Sequence, residues 1–81
     1  MWYVYMLLCK DGSFYTGSTN NLAKRFLDHQ KGTGGRYTRS HRPIKLIYQE
    51  SFNSKSKALK REAEIKSWSR EQKIKTLKLV F

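Results

Sequence analysis

From Trp2 to Cys9 nearly every residue is aromatic, β-branched or aliphatic. A continuous run of this kind reads as a strand buried on both faces, and so as a central strand. Lys10-Asp11-Gly12 is a turn signal, and Ser13 to Ser18 reads as a second strand that closes a hairpin. Thr19-Asn20 is placed to cap a helix running to about Gln30, with Leu22, Ala23, Phe26 and Leu27 as its apolar stripe. Arg25 and His29 stand four residues apart and project together from one edge of that stripe. Lys31 to Pro43 reads as a glycine-rich basic loop. Ile44 to Phe52 alternates in part and predicts a third strand. Asn53 or Ser54 then caps a helix through about Trp68, and Ser69 caps a last one to about Leu77, with Glu71 and Gln72 in its first turn. The elements make an α+β domain, in the broad α/β class: a small three-stranded antiparallel sheet flanked by helices, spanning residues 1–81 as one domain.

The hairpin loop decides which faces the tyrosines take. A two-residue Asp11-Gly12 loop pairs Leu8 with Tyr15 and puts Tyr5 and Tyr15 on opposite faces. A three-residue loop with Gly12 left-handed pairs Leu7 with Tyr15 and Tyr5 with Gly17, which puts both tyrosines on one face. The three-residue loop is preferred because it gives Gly17 a reason: no side chain then stands opposite Tyr5.

Charge narrows the partner. The net charge is +11, from 17 Lys and Arg against 6 Asp and Glu. So much like charge on 81 residues favours a polyanion, and nucleic acid is the commonest one. The longest apolar run is too short to span a bilayer and does not resemble a signal peptide, so the expected location is cytoplasmic and no membrane partner is expected. Cys9, the only cysteine, excludes an internal disulfide and reads as a small buried strand residue. With only His29 and His41 to join it, a zinc site is not expected.

Glu62 is the sharpest chemical signal. At ~100° per residue, Ala58, Leu59, Ala63 and Ile65 define a buried arc, and Glu62 falls within roughly 15° of its centre. A carboxylate aimed at a core needs a paired cation or a metal. Geometry alone leaves a buried Glu–Arg or Glu–Lys pair open. The basic loop carries Lys31, Arg36, Arg39, His41 and Arg42, with Tyr37 among them. With Lys24 on the preceding helix, Lys31, Arg36, Arg39 and Arg42 are candidate contacts to a nucleic-acid backbone rather than base readers.

Taken in order, Tyr3-Val4-Tyr5, Tyr15-Thr16-Gly17, Asn21-Leu22-Ala23-Lys24-Arg25, His29 and Leu59-Lys60-Arg61-Glu62-Ala63-Glu64-Ile65-Lys66 resemble the GIY-YIG nuclease superfamily, and most of all its small stand-alone bacterial members. The resemblance covers almost the whole chain. It implies the three-stranded antiparallel fold and a site made of Tyr5, Tyr15, Arg25, His29 and Glu62. Tyr5 and Tyr15 match the tyrosines of the two motifs, Arg25 the arginine that holds the scissile phosphate, and Glu62 the single metal-binding glutamate. One Mg²⁺ or Mn²⁺ is implied, with water filling its other positions. Tyr3 stands in place of the first motif's glycine and Thr16 in place of the second motif's central isoleucine. The asparagine that follows the metal glutamate in many larger relatives has no counterpart in Ser67-Trp68-Ser69.

The reading is a metal-dependent endonuclease or DNA-processing protein, with structure-selective action in repair or recombination within its scope and RNA not excluded. Tyr5 or Tyr15 takes a proton from the attacking water, with nearby cations lowering a pKa that starts near ~10. Two alternatives stand beside it: a non-catalytic nucleic-acid-binding module on the same fold, and an interaction domain within a larger complex.

Overall fold

The structure is a computed structural model, and it describes residues 1–33 and 36–81. The elements run β1 (Trp2–Cys9), β2 (Phe14–Thr19), α1 (Leu22–Lys31), α2 (Arg36–Ser40), β3 (Pro43–Phe52), α3 (Lys55–Lys66) and α4 (Arg70–Leu77). The strands form one antiparallel sheet in the order β2-β1-β3, which leaves β1 central, as its unbroken apolar run requires.

The hairpin takes the three-residue loop. Cys9 N donates to Ser13 O at 2.8 Å, Gly12 N donates to Cys9 O at 2.9 Å, and Gly12 sits at φ 86°. Leu7 pairs with Tyr15 and Tyr5 with Gly17. Period-2 alternation then divides the sheet. Val4 and Met6 pack on one face with Ala58, Ile65 and Leu79, beneath α3 and the C-terminal segment. Tyr5, Tyr15 and Gly17 lie on the other, under α1.

Helices α1, α3 and α4 each have a side-chain cap. Asn21, rather than Thr19 or Asn20, accepts from Lys24 N; Ser54 accepts from Lys57 N; and Ser69 forms a full capping box with Gln72. Three sequence expectations change. Ala23 and Leu27 are exposed, and the inward stripe of α1 is Leu22, Arg25, Phe26 and His29. Leu59 and Ala63 are exposed too, and the inward stripe of α3 is Ala58, Arg61, Glu62 and Ile65. Both stripes follow i, i+3, i+4, i+7 with polar groups inside them, so reading hydrophobicity alone rotates each helix off its true inner face.

The third change is in the basic segment, which is not all loop, because α2 occupies Arg36–Ser40. Gly32 ends α1 as a left-handed C-cap at φ 81°. Gly34 and Gly35 of this glycine-rich segment, and the Arg36 side chain expected to contact a nucleic-acid backbone, lie outside the described residues. Among the described residues no helix is long and apolar enough to cross a membrane.

Candidate active site

Backbone contact between β1 and β2 sets the centre of the site. An added Cβ at Gly17 would lie 2.6 Å from the Tyr5 hydroxyl, 2.8 Å from Tyr5 Cζ and 3.0 Å from a Tyr15 ring carbon. Only a residue without a side chain lets the Tyr5 ring cross the neighbouring strand there. The hydroxyl comes to rest 2.7 Å from His29 Nε2, in a buried contact. His29 is fully buried, and Tyr15 stacks in a tilted arrangement against it, with ring centroids 4.8 Å apart. Tyr5 and Tyr15 stand 6.2 Å apart.

Electrostatics fix the resting protonation states. Burial, then the Arg25 charge, lowers the His29 pKa below the ordinary imidazole value, while Asp28 opposes weakly. His29 is therefore neutral at pH 7. With its proton on Nδ1, its Nε2 accepts a hydrogen bond from the Tyr5 hydroxyl. Burial, chiefly, pushes the Tyr5 phenol well above its ordinary value, and Tyr15 and Glu62 add to the rise. Arg25 opposes it through a hydrogen bond and its charge. Of the cations expected to lower this tyrosine, Arg25 pulls in that direction, and desolvation outweighs it in the resting site.

Glu62 arrives from the opposite face of the sheet. Its side chain is 17 % exposed. Ser18 Oγ donates to Glu62 Oε1 at 2.6 Å, and Lys66 Nζ lies 2.7 Å from Oε2. Glu62 is within electrostatic reach of Tyr5. Its neighbour Arg61 is engaged elsewhere, donating from Nε to Glu50 at 3.0 Å and pairing with Glu64. Glu62 therefore holds a cation at rest, in the Glu–Lys form that geometry had left open.

This donor set suits a hard divalent cation. One oriented carboxylate oxygen, with water and substrate oxygens completing the shell, is how Mg²⁺ is commonly held. Glu62 is the residue of this site that could hold such an ion; no cluster of three or more His, Cys, Asp or Glu occurs among the described residues.

The other sequence candidates are placed around this centre. Arg25 is half-buried beside Tyr5 and His29 on the inner face of α1. Lys24 and Lys31 are exposed on the same helix, and Arg39 and Arg42 are exposed in and after α2. Ser18 and Lys66 carry contacts that the sequence reading did not assign. The signals were present: Ser18 follows the glycine of the second motif, and Lys66 is four residues beyond Glu62. Tyr37 extends the aromatic series, 5.8 Å from Tyr15 and stacked on His41 at 4.2 Å.

Comparison with known proteins agrees with the fold. The model of the GIY-YIG catalytic domain matches residues 1–75. A UPF0213 protein of Staphylococcus saprophyticus is 51% identical over 75 residues, covering 93% of this chain and 92% of that protein. Another from Staphylococcus haemolyticus is 52% identical over the same length and coverage. The solution NMR structure of a UPF0213 protein from Bacillus halodurans superposes with a TM-score of 0.62 at 42% identity, covering 96% of this chain and 84% of that one. That of an E. faecalis protein gives 0.65 at 44% identity, covering 94% and 81%.

Proposed function

The chain belongs to the GIY-YIG family, and from that premise we propose that it is a divalent-metal-dependent endonuclease acting on DNA. The observation that carries the proposal is the buried Tyr5–His29 contact of 2.7 Å, with Arg25 and Glu62 both acting electrostatically on the same hydroxyl. A phenol, a neutral imidazole and a guanidinium gathered on one face of the sheet, with a carboxylate in electrostatic reach from the other, supply proton transfer, phosphate binding and a metal ligand, which is what phosphodiester hydrolysis can use.

The roles follow from the chemistry of each group. Arg25 binds the scissile phosphate and stabilises the charge that develops on it. The Tyr5 hydroxyl takes a proton from the attacking water as its own proton passes to His29 Nε2. The neutral imidazole thereby relieves the cost of a buried phenolate. Tyr15 packs against His29 and holds that ring in place. Glu62, oriented by Ser18, would hold one Mg²⁺ or Mn²⁺ once Lys66 withdraws, and the bound ion would supply Lewis-acid stabilisation of the leaving oxygen. Lys24, Lys31, Arg39 and Arg42 add sequence-independent attraction for the backbone.

One observation favours a second reading. Glu62 is already satisfied by Ser18 and Lys66, as in a nucleic-acid-binding module whose glutamate is structural. Labelled duplex, single-stranded, flap and four-way-junction DNA, incubated with Mg²⁺, Mn²⁺ or chelator, separates the two. The nuclease reading expects metal-dependent cleavage that Glu62→Gln abolishes while binding persists. Salt-sensitive binding by both proteins without a cut in any lane supports the binding module.

A further inference from the structure

A cavity of about 260 Å³ opens at the free edge of β2, lined by Phe14, Tyr15, Thr16, Tyr37, Lys66 and Lys73. It adjoins the site at two points. Tyr15 lines it and stacks on His29, and Lys66 lines it and pairs with Glu62. Its other wall comes from α4, which the proposed chemistry does not use.

Of the two lysines that line this cavity, Lys66 is paired with Glu62 and Lys73 is not. Lys73 is half-buried and, among the described residues, no carboxylate pairs with it. Burial, and then its cationic neighbours Arg70 and Lys66, make its ammonium easier to deprotonate than an ordinary lysine. Arg70 is fixed in place, donating to Gly12 O at 2.6 Å with its guanidinium 4.0 Å over the Phe14 ring. Thr16 is 5 % exposed, and its buried hydroxyl has no hydrogen-bond partner among the described residues. Crowded cations and an unused hydroxyl are costly in an empty site and favourable around an anion.

We propose that this cavity binds a second backbone phosphate of the nucleic-acid strand whose scissile phosphate lies at Arg25, with Lys73 as its principal contact. The inference rests on the nucleic-acid reading above and extends it to the path of the strand, which runs along the open edge of β2. The lining is rich in donors and carries no carboxylate. Two ammonium groups with no carboxylate in the lining suit a phosphate, which is charged, better than a neutral base edge. Tyr15 and Tyr37 supply aromatic surface for the adjoining nucleotide.

The test is the salt dependence of binding to a short labelled single-stranded DNA, measured in chelator so that nothing is cut. Wild type is compared with Lys73→Gln, Lys73→Arg and Lys75→Gln, the last an exposed lysine on the same helix. Losing one phosphate contact lowers the log–log salt slope by about 0.7 on a single strand. Lys73→Gln is expected to show that drop, Lys73→Arg to restore the slope, and Lys75→Gln to leave it near the wild-type value. In wild type, inorganic phosphate is expected to shift the NMR signals of Thr16 and Lys73. Equal slopes in Lys73→Gln and wild type, or an equal drop in Lys75→Gln, would overturn the subsite and leave the nuclease reading standing. Failure of wild type to bind DNA would overturn both.

Discussion

The Tyr5 hydroxyl and His29 Nε2 lie 2.7 Å apart, although they are 24 positions apart in sequence with the whole of β2 between their elements. The distance joins a strand chosen for burial to a helix whose most buried residue is an imidazole. It also makes one account of proton transfer testable from several sides.

The first consequence concerns pH. Burial and Arg25 lower the His29 pKa, so the unfolded chain binds a proton that the folded chain refuses. Stability therefore rises with pH through the window just below the ordinary imidazole value of about 6.5 and is complete above it. Urea titrations across pH 5 to 8, a window set by that value, are expected to show wild type losing stability as the pH falls. The loss should be largely absent in His29→Gln.

Gly17 carries no functional group, yet Gly17→Ala is expected to impair the site. Its methyl group would meet Tyr5 Cζ at 2.8 Å, and the rigid ring must move to admit it. Overpacking of this kind costs about 1–3 kcal/mol. Chemical denaturation checks the stability loss. Single-turnover kinetics are expected to show a fall in cleavage with DNA binding little changed.

These two positions show what was legible in the chain. The pairing of Tyr5 with Gly17 followed from the loop length and the need for a glycine, and the structure has that register. The inner faces of α1 and α3 were harder to read. Their centres hold Arg25, His29, Arg61 and Glu62, and a hydrophobic stripe places such residues at an edge. Glu62 was assigned to the inner face through neighbours that include Leu59 and Ala63, both of which are exposed. Glu62 does face inward, on an arc slightly rotated from the one those neighbours define. Lys66 went unassigned because an i, i+4 Glu–Lys pair looks the same in sequence whether it is solvated or closes a site.

Lys66 supplies the next prediction. Its ammonium, 2.7 Å from Glu62 Oε2, occupies the carboxylate oxygen that a metal would need. Lys66→Met removes the competitor and is expected to raise Mn²⁺ affinity at least about threefold, given the modest worth of an i, i+4 pair with one exposed partner. Electron paramagnetic resonance titration of free Mn²⁺ measures it without any cleavage. Unchanged or weaker binding in Lys66→Met would mean that Glu62 is not the ligand.

Ser18 holds the other oxygen of the same carboxylate at 2.6 Å. Ser18→Ala is expected to cost about 1.5–3 kcal/mol if the whole charged hydrogen bond is lost, and less where water replaces the hydroxyl. The variant should bind DNA normally and cut it more slowly. Thermal denaturation and single-turnover cleavage, run on the same preparation, separate the two effects.

The most direct measurement is single-turnover cleavage of labelled DNA in Mg²⁺ by wild type and Tyr5→Phe, with binding affinity measured in parallel. Removing a general base costs on the order of 10²–10⁴ in rate. The account predicts cleavage by wild type, a loss of that size in Tyr5→Phe, and equal DNA affinity for both. Cleavage by Tyr5→Phe at the wild-type rate would contradict the assignment of Tyr5, and binding without cleavage by wild type on every substrate would contradict the nuclease itself.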